Sequence, residues 1–78
     1  MSDDPRQALA EARKLLRTFR SAPDPRRRAH EVVSTLKRGG GWPPAALREL
    51  ALVDTWLGAA PPVDALEPRL RALLTRLV

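Results

Sequence analysis

Residues 4–20, DPRQALAEARKLLRTFR, contain the pattern that decides the fold. Asp4 precedes Pro5, and apolar residues then follow at the three- and four-residue spacing of a one-sided helix. Proline suits the first helical position because the N–H group that it lacks has no helical acceptor there. An acidic residue followed by Pro and Arg recurs at Asp24 and at Glu67. These three signatures predict three helix starts.

Proline, glycine and the scarcity of strand-forming residues extend this prediction to the whole chain. The eight Pro residues stand at the expected segment boundaries, the Gly39–Gly41 turn separates two helical patterns, and Ile and Tyr are absent. The short linkers favour antiparallel packing of successive helices. We expect a single all-α domain over residues 1–78, a small bundle-like four-helix domain with helices at about 5–21, 25–38, 44–57 and 65–77.

A phosphate-binding interpretation of the Gly39–Gly41 turn is disfavoured. The turn matches no phosphate-loop fingerprint, and Pro43 and Pro44 remove amide donors from the next helix start. We interpret the turn as a helix end followed by a flexible connection. For the neighbouring Trp42 we favour burial over a role in stacking on a nucleic-acid base.

Composition argues against several kinds of chemistry. Cys is absent and His30 is the one histidine, so thiol nucleophiles, thiolate metal sites and histidine clusters have no residues to form them. His30 and Ser34 stand four residues apart, but no carboxylate is placed to orient the imidazole, and we interpret them as a solvated pair. We therefore predict a protein that is not an enzyme, with no catalytic residues, no metal and no cofactor.

Two further expectations concern the surroundings of the protein. The first residues show neither the basic nor the apolar segment of a secretion signal, and no apolar run approaches the ~20 residues of a membrane span. We expect a cytoplasmic protein without a transmembrane segment. In a chain of 78 residues without disulfides, apolar burial and chain ordering nearly cancel, so we also expect a protein partner or a second copy.

Arginines provide the main functional signal in a chain with 14 Lys and Arg, nine Asp and Glu and a net charge of +5. Four of them lie on the predicted helix one, spaced by 7, 4 and 3 residues, beside its apolar face. Three more occupy the first turn of helix two, where the helix macrodipole disfavours cations. Residues that are locally unfavourable, without a compensating gain in stability, are typical of functional positions. A helix face that is simply exposed to solvent gives the same run of arginines. The candidate partner- or phosphate-binding residues are Arg6, Arg13, Arg17, Arg20, Arg26, Arg27 and Arg28.

Helix three is apolar on more than one side. Leu52 and Trp56 lie nearly opposite its main stripe, at ~100° of rotation per residue. A helix that is apolar on most of its circumference is either central in its domain or covered by another chain. In the second case Leu52 and Trp56 are the apolar interface residues, since Trp is enriched among dominant contacts. The main stripe consists of Leu47, Leu50, Val53 and Leu57.

Three classes of function follow from these features. The favoured one is a protein–protein interaction module, such as an adaptor, accessory subunit or regulator, which self-associates and meets an acidic partner through its Arg-rich face. The alternative is a DNA- or RNA-binding protein that contacts mostly the phosphate backbone. Sequence readout by helix three is disfavoured because Arg48 is its one cation. A membrane-surface helix ranks last, since Phe19 is the one aromatic residue of helix one.

Overall fold

Four α-helices follow one another through residues 4–77, the part of the chain that the computed structural model describes. Their bounds are Pro5–Arg17 for α1, Pro25–Arg38 for α2, Pro44–Gly58 for α3 and Val63–Leu77 for α4, with a 3₁₀ turn at Phe19–Ser21. The expected all-α, four-helix architecture is confirmed. Within the described residues, no helix is both long enough and apolar enough to cross a membrane.

The first two helix starts form as the sequence predicts. Asp4 Oδ1 accepts a hydrogen bond from the Arg6 amide at 2.9 Å, and Asp24 Oδ1 accepts one from the Arg27 amide at 3.2 Å. In both helices Pro is the first helical residue. Each carboxylate therefore satisfies an amide at a helix end, where the backbone itself offers no acceptor.

The signature at Glu67 and Pro68 does not mark a helix start, although the predicted fourth helix at 65–77 agrees with the observed one to within two residues. α4 begins at Val63, and Pro68 lies inside the helix with an exposed side chain. A proline in this place removes one backbone hydrogen bond. Leu66 is fully buried in the core, and its burial favours helical structure upstream of the proline. Glu67 is consequently not a cap but a mid-helix side chain available for ion pairs.

Helix one ends earlier than predicted. α1 stops at Arg17, and the next residues tighten into the 3₁₀ turn rather than continuing to position 21 as α-helix. The amides of Ser21 and Ala22 bond to the carbonyls of Thr18 and Phe19, each at 3.1 Å. Hydrogen bonds between residues three apart are common at the C-terminal ends of α-helices. The tighter turn accompanies the burial of Phe19, which is 5% exposed.

Helices α2 and α4 pack against each other, and α1 and α3 lie on either side of this pair. α1 lies against α2 and α4, and α3 lies against the same two helices, so α1 and α3 stand diagonally across the bundle. Arg20 meets Glu67 in the first half of α4, whereas Arg13 shares a groove with Thr75 near its end, so α1 and α4 run antiparallel. The largest fully buried side chains are Leu36, Leu50, Leu66, Leu70, Val32, Val33 and Val53.

The turn between α2 and α3 packs closely against α1. Trp42 is buried as predicted, and its Nε1 donates a hydrogen bond of 2.7 Å to the Leu36 carbonyl at the end of α2. Gly39 approaches α1 so closely that a Cβ there would lie 2.6 Å from the Ala8 methyl group. Gly41 has φ +84°, a conformation that favours glycine. The glycines thus serve close packing and a tight turn.

Candidate functional site

Two arginines in the first turn of α2 form specific contacts within the molecule. Arg26 Nη1 donates a 2.7 Å hydrogen bond to the Pro61 carbonyl, in the linker before α4. Arg28 Nη1 donates to the Leu15 carbonyl at 2.9 Å and to Thr18 Oγ1 at 2.7 Å. The Leu15 carbonyl belongs to the last turn of α1, where carbonyls lack intrahelical donors and a cation is favoured. These arginines therefore have a structural benefit that the helix-two sequence alone does not reveal.

The third arginine of this turn is more exposed. The Arg27 side chain is 80% exposed and its Nε lies 3.8 Å from Glu31 Oε1. Arg28 Nε lies 3.6 Å from the other oxygen of the same carboxylate. Glu31 thus offsets part of the positive charge on α2, and an exposed ion pair of this kind contributes little to stability.

The arginines of α1 lie beside α4. Arg13 and Arg17 line a surface groove of about 600 Å³ between the two helices, and Arg71 of α4 lines it from the other side. Leu16 and Leu74 form its apolar floor, and both are largely buried. The groove therefore combines guanidinium groups with an apolar surface, and Thr75 adds a hydroxyl group near its end.

One carboxylate divides the basic surface at the Arg20 end of the groove. Glu67 Oε1 accepts a hydrogen bond from Arg20 Nε at 3.2 Å, and Glu67 Oε2 accepts one from Arg71 Nη2 at 2.7 Å. The Glu67 side chain is 16% exposed, whereas those of Arg20 and Arg71 are 88% and 60% exposed. The hydrogen bonds from Arg71 and then from Arg20 hold the pKa of Glu67 below its ordinary value of 4.5.

The sequence finds this groove only in part. Arg13 and Arg17 are among its predicted site residues, and Arg20 is adjacent, whereas Arg6 is exposed in the first turn of α1 and does not line the groove. Arg71 was missed because it lies on a different helix, 54 residues after Arg17 in the chain. The one sequence signal for Arg71 is its position four residues after Glu67, a spacing that favours a helical ion pair.

The two predicted interface residues of α3, Leu52 and Trp56, differ in their exposure to solvent. Leu52 is 53% exposed, as is Leu47, which the sequence pattern had placed on the buried stripe. Ala46 occupies that buried position instead. Trp56 is half-buried against the core, and the Arg69 guanidinium lies 5.8 Å from its ring centroid.

The outer face of α3 carries little net charge. Arg48 is its one exposed charged residue, and the partly exposed side chains of Glu49 and Asp54, 28% and 46% exposed, are neutralised by ion pairs with Arg76 and Lys37. This helix is therefore not surrounded by the rest of its own domain, and Leu47 and Leu52, rather than Trp56, are the main apolar side chains on its surface.

The groove has the chemistry of an anion-binding site. Arginine stays protonated at neutral pH and offers several N–H donors in a fixed plane, which suits carboxylate and phosphate groups. Within residues 4–77, no three His, Cys, Asp or Glu side chains come together in a way that could hold a metal ion. In comparisons with known proteins, no family model, no curated protein and no solved structure matches the chain.

Proposed function

We propose that the protein is a non-enzymatic interaction module that binds an acidic segment of a partner protein in the groove between α1 and α4. The observation that carries this proposal is the placement of Arg13 and Arg17 opposite Arg71, over the apolar floor of Leu16 and Leu74. A segment with an apolar side chain between acidic residues matches both parts of this surface. The leucines would cover the apolar side chain while the guanidinium groups bind the carboxylates.

A protein segment fits this groove better than a nucleic-acid backbone does. Phosphate-backbone binding draws its affinity from many cations that follow the strand. Here Arg26 and Arg28 are engaged within the molecule, and Arg20 and Arg71 are both paired with Glu67, which leaves Arg13 and Arg17 as the groove cations for a ligand. The apolar floor adds nothing to phosphate contacts, whereas it contributes to binding of an apolar side chain.

The test compares two neutralised variants of equal net charge. The probe is a fluorescein-labelled peptide in which glutamates flank a single leucine, and fluorescence anisotropy reports its binding. We expect Arg13→Gln with Arg17→Gln to weaken binding by ~10-fold or more, because two charge-assisted hydrogen bonds are lost. The control, Arg6→Gln with Arg48→Gln, removes the same charge outside the groove and should change binding by less than about 3-fold.

Two outcomes would overturn this proposal. One is equal weakening by both double variants, which would mean that only net charge matters. The other is tighter binding of the wild-type protein to a labelled oligothymidylate than to the peptide at matched salt, which would favour the nucleic-acid alternative.

We also propose that two copies associate through the outer faces of their α3 helices, with Leu52 as the central apolar contact. The small net charge of this face, where the Glu49 and Asp54 carboxylates are already paired, supports a second copy, because elsewhere two chains of net charge +5 repel each other. An antiparallel crossing near Ala51 and Leu52 would place Arg48 of each copy opposite Thr55 of the other. The two Arg48 side chains would then stay about 10 Å apart along the helix axis.

Sedimentation equilibrium tests this association. We expect the wild-type protein to show a concentration-dependent mass between monomer and dimer, and Leu52→Gln to shift the mass toward the monomer. Arg17→Gln, on the diagonal helix, is the control that should leave the association unchanged. A wild-type protein that stays monomeric at the highest concentration would overturn the proposal.

A further inference from the structure

We infer that Glu67 determines which anions the groove accepts, by disfavouring continuous polyanions such as nucleic-acid strands while tolerating an acidic protein segment. This inference rests on the proposed function of the groove and names the residue that gives it specificity. Its basis is the position of a carboxylate that pairs with two arginines of an otherwise basic surface.

The antiparallel packing of α1 and α4 places Glu67 in line with the groove. Arg17 and Arg71 line the groove together, and Arg20, three residues further along the chain, reaches Glu67. Glu67 Oε2 also accepts bonds from Arg71 Nη2 at 2.7 Å and Nε at 3.3 Å. The carboxylate therefore engages one arginine inside the groove and one at its end, and both lose part of their capacity to bind an external anion.

The spacing of negative charges along the ligand determines whether the Glu67 carboxylate repels it. A nucleic-acid strand in a duplex carries one charge in every ~3.4 Å of axis and cannot omit one. From Arg13 in α1 to Arg20 in the 3₁₀ turn the chain advances by about 10 Å, so a strand that follows these arginines must also pass Glu67. A like charge at that point disfavours the strand. A peptide avoids the repulsion by placing a neutral side chain there.

The experiment removes the carboxylate and keeps the side-chain shape. Glu67→Gln and wild-type protein are titrated with a labelled oligothymidylate at a series of salt concentrations. Two arginines become available, so we expect the slope of log affinity against log salt to steepen by about 1.4 for a single strand. Binding should then fall by a further factor of about 7 between ~50 and ~200 mM salt.

Glu11→Gln is the matched control. Glu11 lies on the other side of α1, in the concavity that this helix forms with α2, and its neutralisation changes net charge by the same amount. The slope should stay near the wild-type value. An equal slope for wild-type and Glu67→Gln, absence of oligonucleotide binding in both, or an equal increase in the Glu11→Gln control would each overturn the inference.

A peptide arm separates this inference from the proposed function. Affinity for the glutamate–leucine peptide should rise less in Glu67→Gln than affinity for the oligothymidylate, because the peptide carboxylates bind Arg13 and Arg17 and only one of the two released arginines, Arg71, lines the groove. If neutralising those two arginines leaves peptide binding intact, the proposed function fails. If peptide binding depends on them but Glu67→Gln strengthens peptide and oligonucleotide binding equally, only the inference about Glu67 fails. Glu67→Met, which keeps a good helix former, repeats the test should the Gln variant not fold.

Discussion

Arg28 joins two helices through a single guanidinium group. Its Nη1 bonds to the Leu15 carbonyl and to Thr18 Oγ1, and the side chain is only 21% exposed. We expect Arg28→Gln to lower the free energy of unfolding by ~1.5 kcal/mol, because hydrogen bonds to a charged donor are lost at a helix end.

Arg27→Gln is the control for this prediction. Its side chain is 80% exposed, and the change should lower stability by less than ~0.5 kcal/mol. Urea unfolding of both variants measures the difference. Equal stabilities for the two variants would show that Arg28 has no special structural role.

Glu67 makes stability depend on pH in the acidic range. Since Arg71 and Arg20 hold its pKa below 4.5 in the folded protein, the unfolded chain takes up the proton at higher pH than the folded chain does. The contribution of Glu67 to stability is thus complete above about 4.5 and is lost as pH falls through the folded-state pKa. Glu67→Gln should remove this part of the acid dependence. An NMR titration of the carboxyl carbon with a midpoint at or above 4.5 would contradict it.

At the scale of the elements, two glycines should respond in opposite directions to alanine. A Cβ on Gly39 would lie 2.6 Å from the Ala8 methyl group, which is fixed to the α1 backbone and cannot rotate away. We expect Gly39→Ala to lower the free energy of unfolding by ~1–3 kcal/mol. Gly58 is the last residue of α3 and has no such neighbour, so Gly58→Ala should raise it by up to ~1 kcal/mol. Thermal unfolding of both variants would contradict this account if the two changes had the same sign.

Local signals predict helices well where they coincide with the requirements of the core. Asp4 and Asp24 cap helices because the apolar stripe begins just after them. The same pattern of an acidic residue followed by Pro and Arg does not start a helix at Glu67, because Leu66, one residue before it, is a core side chain. A helix-capping pattern depends only on the few residues of one helical turn. It therefore cannot reveal that the burial of Leu66 favours an earlier start of α4.

The groove is harder to predict than the helices for a similar reason. The spacing of Arg13 and Arg17 is a property of one helix and is visible in the sequence. Their apposition to Arg71 depends on how α1 and α4 pack, which involves residues far apart in the chain. The contact of Arg26 with the Pro61 carbonyl is likewise a property of the folded chain. The sequence therefore overestimates how many arginines are free to bind a partner, because it does not show which of them donate hydrogen bonds to acceptors within the folded protein.

Across the whole molecule, the two proposed surfaces are well separated. The groove lies between α1 and α4, whereas the face with Leu52 belongs to α3, diagonally across the bundle from α1. Two copies joined through α3 would keep both grooves accessible. Such a pair could bind two acidic segments of one partner at once and gain affinity from the high effective concentration of the second groove.

The most direct test of the central claim is to map where an acidic segment binds. Amide chemical shifts of the protein are followed during titration with the glutamate–leucine peptide. The account predicts that the largest changes cluster at Arg13, Leu16, Arg17, Arg71, Leu74 and Thr75 and diminish as salt increases. Changes centred on α3 or on the first turn of α2, or shifts spread evenly over all exposed arginines, would contradict it.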